Sequence, residues 1–491
     1  MEVINKILLQ LPYALIFLPL IASIFVQFIN DKKFLSNTFY VVITTLLIIS
    51  CILLMAISDG NTNLFVMLNN NINMLGTEYK LNFINLFYII SILFLNIIGF
   101  LNYRYEYPLS NEANIKYKKI FFSIYFIHLF SMIGIFTTYN IFHLFIFIEL
   151  FSFSAFNLIN SYEGKSFNVA VYKYFSNNIF GSMILACAIF YLTLFCNTNN
   201  ILLIRQQILT TNITNNYFLI LIYILLIIAI SLKFLMFNVR PFEEKKRYLT
   251  IMSMENMFTS TVIGIFLIYF FTNFVFLLNN VFAHIFWIKQ LMLAVACAII
   301  AVVSVRIILK TKTVHDIFIN LFFSDLVYIF IVMFFVKQNL YFKGHLLLFS
   351  EFIATLLPIY IISIYFSEMY DDNGIGLFRK HKYTKLFFLF IIIYKLLCPF
   401  APSFYLLKYL FAEASDLGRN IIFILMFIIT KLALISILLK VIFNRYIYVV
   451  DDNIIIGKKI IFRFRLSLVI LFAFLIVMTF FLFLIQTVVI F

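Results

Sequence analysis

The stretch that decides the fold is residues 141–159, IFHLFIFIELFSFSAFNLI, in which Glu149 interrupts an otherwise uncharged run. The run is long enough to cross a bilayer, because about 20 apolar residues in a helix span the hydrocarbon core. Glu149 would then lie near the middle of the membrane, where a charge costs about 2.5–3.5 kcal/mol on insertion scales. Ionisable side chains at that depth by default mark a path for ions or protons. The sequence therefore predicts a membrane span with a functional carboxylate near its centre.

Similar apolar runs recur along almost the whole chain. Of its 491 residues, 64% are hydrophobic and 12% are charged, and the mean hydropathy is +1.06, whereas about 25% of the residues in a soluble domain are charged. The first run, from about Leu8 to Phe28, is too long for a cleaved signal peptide and is expected to be the first span. The pattern predicts an all-α polytopic membrane protein with about 14 transmembrane helices, centred near residues 18, 48, 91, 128, 150, 183, 227, 266, 297, 326, 356, 398, 430 and 478.

The basic residues between these predicted spans alternate strongly from one connection to the next. Clusters such as residues 240–247 fall in the odd-numbered connections, and the even-numbered ones hold only Lys80, Arg205, Lys337, Lys343 and Arg419. The positive-inside rule then places the odd connections in the matrix or cytoplasm and both termini on the intermembrane-space or periplasmic side. The net charge of +15 is thus spread along one membrane face. Nucleic acid is not an expected partner, because the charge forms no patch with base-stacking aromatics.

Cofactor chemistry is not visible in the sequence. The five cysteines form no CxxC pair and mostly fall inside apolar runs, which is typical of small buried side chains. Phosphate loops, HExxH and GxSxG motifs are also absent from the sequence, so we expect no redox, metal or hydrolytic centre on this chain. The abundance of Phe, Tyr, Ile, Asn and Lys is typical of AT-rich coding and hints at an organelle genome or a reduced bacterial one.

Few other ionisable groups fall at membrane depth. Lys233 closes a long apolar run and stands before the basic loop that begins at Arg240. Lys408 follows Pro399 and Pro402, each of which removes a backbone donor and favours a broken helix of the kind that forms ion sites in transporters. Further candidates for a hydrated chain of proton carriers are His345, Glu351, Lys395 and Lys431.

The residues 171–182, VYKYFSNNIFGS, carry a resemblance to a known family. Lys173 with the following Tyr-Phe, the Gly181-Ser182 pair and Tyr191 resemble the sixth-span pattern of the antiporter-like membrane subunits of respiratory complex I, NADH:ubiquinone oxidoreductase. These subunits are related to Mrp-type cation/proton antiporter subunits. Glu149 falls where that family keeps its fifth-span glutamate, and the segment from Pro402 to Lys408 resembles its twelfth-span pattern. A lysine at position 408 is most similar to the subunit 2 type, called subunit N in bacteria.

The resemblance implies an organisation and a function. Broken helices are expected in spans seven and twelve. Helices 1–3 are expected in residues 1–110. Two inverted five-helix repeats follow, in residues 111–280 and 281–445, and the last helix lies in residues 446–491. The implied proton-translocating groups are Glu149, Lys233 and Lys408. The implied setting is the membrane arm of complex I, with partner subunits that hold NADH, FMN, iron–sulfur clusters and ubiquinone, in the mitochondrial inner membrane or, alternatively, the bacterial plasma membrane.

Two alternatives remain open at this stage. The chain could be a subunit of a Mrp-type sodium/proton antiporter, which works without NADH. It could also be a structural subunit of the membrane arm that no longer conducts, since residues 256–279 in the predicted eighth span contain no ionisable group except tyrosine. The subunits that accompany the chain distinguish the first alternative from complex I.

Overall fold

The computed structural model describes residues 2–58, 64–67, 78–106, 113–160, 167–210 and 217–230, and single positions at 232, 302, 305, 432, 435 and 436. The chain divides into two compact units, and almost all described residues belong to the unit formed by Met1–Glu244 and Phe258–Phe266. The structure below is that of this first unit.

The first unit is built mainly from helices that coincide with the apolar runs. A 3₁₀ turn, Val26–Phe28, extends the first helix. The helices are α1 Glu2–Phe25, α2 Lys32–Ser58, α3 Phe83–Glu106, α4 Ala113–Thr137, α5 Ile141–Asn160, α6 Phe167–Cys196, α7 Ile201–Thr210 and α8 Tyr217–Ile230.

Five segments of the described chain are long and apolar enough to cross a membrane: Gln10–Phe28, Asn37–Ile57, Lys118–Thr137, Ile141–Leu158 and Asn178–Cys196. They coincide with the first, second, fourth, fifth and sixth predicted spans, so the multi-pass membrane architecture is confirmed for this part of the chain. Helices α3 and α8 coincide with the third and seventh predicted spans. The apolar part of α3 is shorter, Asn85–Phe94. The later predicted spans lie outside the described residues.

Two elements of the first unit were not expected from the sequence. The connection between α2 and α3 contains an antiparallel hairpin of β1, Leu64–Met67, and β2, Glu78–Leu81. Helix α7 has 10 residues and is therefore about 15 Å long, which is half the thickness of a bilayer core. Neither element crosses the membrane.

Helices α4 and α5 approach each other closely at Gly134. Gly134 of α4 lies against the buried ring of Phe147 of α5, so that a Cβ at position 134 would overlap the ring. The absence of a side chain at Gly134 thus allows the two helices to approach each other. Phe39 of α2 contacts the rings of Phe122 and Phe126 of α4 and so adds to the buried apolar core.

The connections at one end of the bundle are hydrogen-bonded to one another. Tyr79 of the hairpin pairs with Thr138 between α4 and α5, and Asn140 pairs with Asn200 between α6 and α7. The Ile141 N–H donates to the Asn199 carbonyl oxygen at 3.0 Å. These residues belong to connections 2, 4 and 6 of the predicted topology, and the end of the bundle that they form is called the even end.

Connection 1 lies beside the first turns of α4 at the opposite end, called the odd end. The Lys119 ammonium at the start of α4 donates to Asn30 Oδ1 at 2.7 Å and to the Gln27 carbonyl oxygen at 3.1 Å. Because α2 runs from connection 1 to connection 2, the odd and even ends lie on opposite sides of the bundle. The charge alternation in the sequence therefore corresponds to a real separation of the connections in this unit.

Candidate functional site

Glu149 lies in the middle of α5 and is half-buried. Its Oε2 accepts a hydrogen bond from Ser182 Oγ of α6 at 2.8 Å. The sequence predicted the carboxylate at this depth, and the structure adds a hydroxyl donor from the neighbouring helix. A hydrogen bond to an ionised carboxylate is stronger than one between neutral groups.

Ser182 has a second acceptor within reach. Its Oγ lies 2.9 Å from the carbonyl oxygen of Asn178, one helical turn earlier in α6, and serine hydroxyls commonly bond to a carbonyl four residues back. A serine hydroxyl carries one proton but two acceptor lone pairs. It can therefore donate to an ionised Glu149, or donate to Asn178 and accept the proton of a neutral Glu149.

The partner of Glu149 lies in the stretch that carries the family resemblance. Lys173, Gly181 and Ser182 all belong to α6, and Gly181 is buried. Sequence reasoning used the Gly181-Ser182 pair as a family pattern and missed the role of Ser182. A hydroxyl residue near the centre of an apolar span next to the glutamate span was the available signal.

His143 lies at the even end of α5 and is separated from the Glu149–Ser182 pair. Asn140 caps this helix end, because its Oδ1 accepts from the N–H groups of Phe142 at 2.9 Å and His143 at 3.4 Å. His143 is six residues before Glu149, about 9 Å along the helix axis. His143 thus lies toward the even end of the span and away from its centre.

A second polar contact within the membrane segments joins α4 and α5. His128 of α4 is 0% exposed, and its Nδ1 lies 2.8 Å from Ser154 Oγ of α5. The imidazole ring also stacks on Phe151, with the ring centroids 4.5 Å apart. Sequence analysis did not single out His128. An isolated histidine in an apolar run gives no indication of which helix it faces.

Most of the other predicted site residues lie outside the described part of the chain. Lys173 is placed on α6 by its backbone, and its side chain is not described. The residues whose positions are not described are Lys233, His345, Glu351, Lys395, Lys408 and Lys431. Among the predicted site residues, Glu149 is the one whose side chain the structure describes. Within the described ranges, no group of three His, Cys, Asp or Glu side chains is arranged to hold a metal ion.

Comparison by sequence finds no matching family model and no matching curated protein. The structure, in contrast, resembles chains of three solved complexes. A chain of the membrane-bound sulfane sulfur reductase (MBS), an archaeal respiratory membrane complex, has a TM-score of 0.73 at 14% identity, over 97% of this chain and 96% of that one. A chain of respiratory complex I from Thermus thermophilus has a TM-score of 0.71 at 13% identity, over 94% of each chain.

The third complex is the Mrp complex from Dietzia sp. DQ12-45-1b. One of its chains has a TM-score of 0.66 at 15% identity, over 88% of this chain and 79% of that one. The protein thus shares a multi-pass membrane fold with chains of these three complexes along most of its length. At these identities the likeness shows the fold, and the function must be argued from the site.

Proposed function

We propose that this chain is an ion-translocating subunit of a multisubunit membrane complex, and that Glu149 carries the transported proton. The observation that carries the proposal is the hydrogen bond between Glu149 Oε2 and Ser182 Oγ within the membrane segments of α5 and α6. A carboxyl group at membrane depth is costly and therefore by default functional. The fold shared with chains of an archaeal respiratory complex and of complex I supports a role in such an assembly.

The pair of acceptors around Ser182 suits a group that changes its protonation state. When Glu149 is ionised, Ser182 donates to Oε2. When Glu149 binds a proton, the carboxyl O–H can donate to Ser182 Oγ, and the serine proton turns to the Asn178 carbonyl oxygen, which lies within 2.9 Å. Each state is hydrogen-bonded, so the carboxyl group need not lose its partner when the proton arrives or leaves.

The residues that exchange protons with Glu149 are proposed from the family resemblance. In this proposal Lys233 forms a charge pair with Glu149, and the protonation of neighbouring groups changes the strength of that pair. Lys408 then controls proton exchange toward the far side. A lysine out of water tends to lose its charge, and an approaching carboxylate restores it, so that moving one charge switches the next.

More specifically, we propose that the chain is a proton-translocating membrane-arm subunit of NADH:ubiquinone oxidoreductase, of the subunit 2 type. Quinone reduction in partner subunits would then supply the energy, and NADH, FMN, iron–sulfur clusters and ubiquinone would bind to those partners. The comparisons do not support the mitochondrial location, which stays a prediction from composition, as does the bacterial alternative. The sidedness of the termini stays a prediction from the alternation of basic residues.

A Mrp-type antiporter subunit is the second candidate, favoured by the similarity to a chain of the Mrp complex. That similarity covers 79% of the other chain, against 96% and 94% for the two respiratory chains, and the respiratory assignment is therefore preferred. Purification of the native complex distinguishes them. Flavin and iron–sulfur subunits in the complex would support the first assignment, and small membrane subunits alone would support the second.

Replacement of Glu149 by Gln tests the role of the carboxyl group. In the native complex reconstituted in liposomes, we expect Glu149→Gln to lower the rate of proton translocation about tenfold or more, since a positioned proton carrier is lost. Assembly should be unchanged, as measured by co-purification of the partner subunits. The control is Phe153→Leu, a conservative change of an exposed residue four positions along the same helix. Normal translocation by an assembled Glu149→Gln variant would rule out the proposal.

A further inference from the structure

His128 is enclosed between α4 and α5 and keeps one ring nitrogen without a hydrogen-bond partner. Its Nδ1 contacts Ser154 Oγ at 2.8 Å, and the ring stacks on the ring of Phe151. Nε2 is buried, and no described group hydrogen-bonds it. A polar side chain that is fully enclosed and half satisfied requires an explanation.

The protons of this contact can be assigned from the neighbouring acceptors. Ser154 Oγ lies 2.9 Å from the Phe151 carbonyl oxygen and donates its one proton there. It then accepts the Nδ1–H of His128, which leaves the neutral ring with a bare lone pair on Nε2. In the opposite tautomer an Nε2–H group lacks an acceptor instead. A buried nitrogen is therefore left without a protein partner in either tautomer.

Packing alone does not account for a histidine at this position. The ring stacks on Phe151 with an interplanar angle of 26°, a contact that a phenylalanine at position 128 could also make. Phenylalanine would bury no unpaired nitrogen, and replacing a buried polar group by an apolar one of similar shape is often neutral or stabilising. The histidine adds only its capacity to bind a hydrogen-bonding partner or a proton.

The positions of His128 and Glu149 can be compared along the axes of α4 and α5. The contacts of Gly134 with Phe147 and of His128 with Phe151 and Ser154 show that α4 and α5 run antiparallel. Ser154 is five residues beyond Glu149, about 7.5 Å further along α5 toward the odd end. His128 therefore lies closer to the odd end of the bundle than Glu149 does.

Buried polar groups continue along α4 in the same direction. Three residues before His128, the hydroxyl of Tyr125 donates to Asn96 Oδ1 of α3, and both side chains are buried. The described groups that interact with the His128 ring are Ser154 and Phe151 of α5, neither of them charged or titratable. The titratable neighbour on its own helix is Tyr125, whose hydroxyl is held by Asn96.

We propose that His128 is a second proton carrier, separate from the Glu149–Ser182 pair, and that its Nε2 binds a water molecule on a branch from the odd end. This inference rests on the proposed function, because it requires that protons cross this bundle. Nε2 accepts a proton from one water of the hydrated branch to give an imidazolium, and releases it to a water further along the branch when the next acceptor is free. The Nδ1–H stays bonded to Ser154 throughout, so the step leaves the protein unchanged.

Two substitutions separate proton carriage from a structural role. His128→Phe keeps the stacking contact, and His128→Gln keeps a hydrogen-bonding side chain that does not bind a proton near neutral pH. In the reconstituted native complex both variants should lower proton translocation about tenfold, as expected for loss of a proton carrier. The control Ile120→Val, a conservative change of an exposed residue on the same helix, should leave the rate unchanged. Normal translocation by an assembled Phe or Gln variant overturns the inference.

A second measurement does not depend on activity. High-resolution cryo-electron microscopy of the unmodified native complex should show an ordered water molecule at about 3 Å from His128 Nε2, and a dry, close-packed surface at this atom overturns the inference. Glu149→Gln in the same assay keeps the two proposals apart. If Glu149→Gln lowers translocation but the His128 variants do not, only the inference about His128 fails. If Glu149→Gln translocates normally, the proposed function itself fails.

Discussion

At the scale of single residues, the hydroxyl of Ser182 is the group that links α6 to the carboxyl of Glu149. It lies 2.8 Å from Oε2 and 2.9 Å from the Asn178 carbonyl oxygen. The single serine proton can serve either acceptor, so the contact tolerates both protonation states of the carboxyl group. In the proposed function Ser182 is a positioning residue, because it would act on the proton through Glu149.

Substitutions at position 182 test this positioning role. Ser182→Ala removes a hydrogen bond to a charged group, an interaction of about 1.5–3 kcal/mol, and should lower proton translocation measurably. Ser182→Thr keeps the hydroxyl and serves as the matched control, with a rate close to that of the unmodified complex. The measurement is dye-reported proton uptake by liposomes with equal amounts of assembled complex. Equal rates for the Ala and Thr variants would contradict the role.

Glu149 could be predicted from the sequence, whereas the contacts that Ser182 and His128 make could not, for a physical reason. A carboxylate in an apolar run is recognisable from the sequence alone, because the free-energy cost of placing it in the membrane depends on its depth and not on its neighbours. Serine and histidine cost less in such a run, and their role depends on which helix face they meet. Ser182 faces Glu149, and His128 faces Ser154, only because of the tertiary packing of α4, α5 and α6.

At the scale of elements, the α4–α5 pair depends on the close approach at Gly134. A methyl group there would overlap the ring of Phe147, which is itself buried and unable to turn toward solvent. The same helix pair carries Glu149 and His128, so its spacing positions both proposed proton carriers.

Substitution of Gly134 should therefore destabilise the bundle. Gly134→Ala is expected to cost about 1–3 kcal/mol through overpacking and to lower the temperature at which the purified complex denatures. The double variant Gly134→Ala with Phe147→Leu should recover most of the loss, because the smaller side chain leaves room for the methyl group. Unchanged thermal stability in Gly134→Ala would show that the helices can separate without cost.

The elements that the sequence did not predict are the short ones. Helix α7 and the hairpin of β1 and β2 lie outside the long apolar runs that made the spans recognisable. The strands pair with each other, and Tyr79 pairs with Thr138 of another connection. Such contacts form because the packed spans bring the connections together. The local sequence contains no information about that packing.

At the scale of the whole molecule, the alternation of basic residues predicts which connections share a membrane face. In the described residues, connections 2, 4 and 6 are joined at the even end, and connection 1 contacts the first turns of α4 at the odd end. The positive-inside rule expects the odd end to face the matrix or cytoplasm. The second repeat and its lysines, including Lys408, stay predictions.

Cysteine labelling tests this sidedness. In a variant without native cysteines, we expect Asp31→Cys and Thr198→Cys to react with an impermeant thiol reagent from opposite sides of sealed vesicles. Asp31 lies in connection 1, and Thr198 lies between α6 and α7. The cysteine at position 31 should react from the matrix or cytoplasmic side. Labelling of both positions from one side would contradict the proposed topology.

The most direct test of the central claim is a double-mutant cycle on Glu149 and Ser182 in the reconstituted native complex. The proton translocation rate is measured for Glu149→Gln, for Ser182→Ala and for the double variant, each with assembly verified. If Ser182 acts through a proton-carrying Glu149, both single variants are slow, and Ser182→Ala causes no further loss when Glu149 is already Gln. The account is contradicted if Glu149→Gln translocates normally, or if Ser182→Ala lowers the rate by the same factor in both backgrounds.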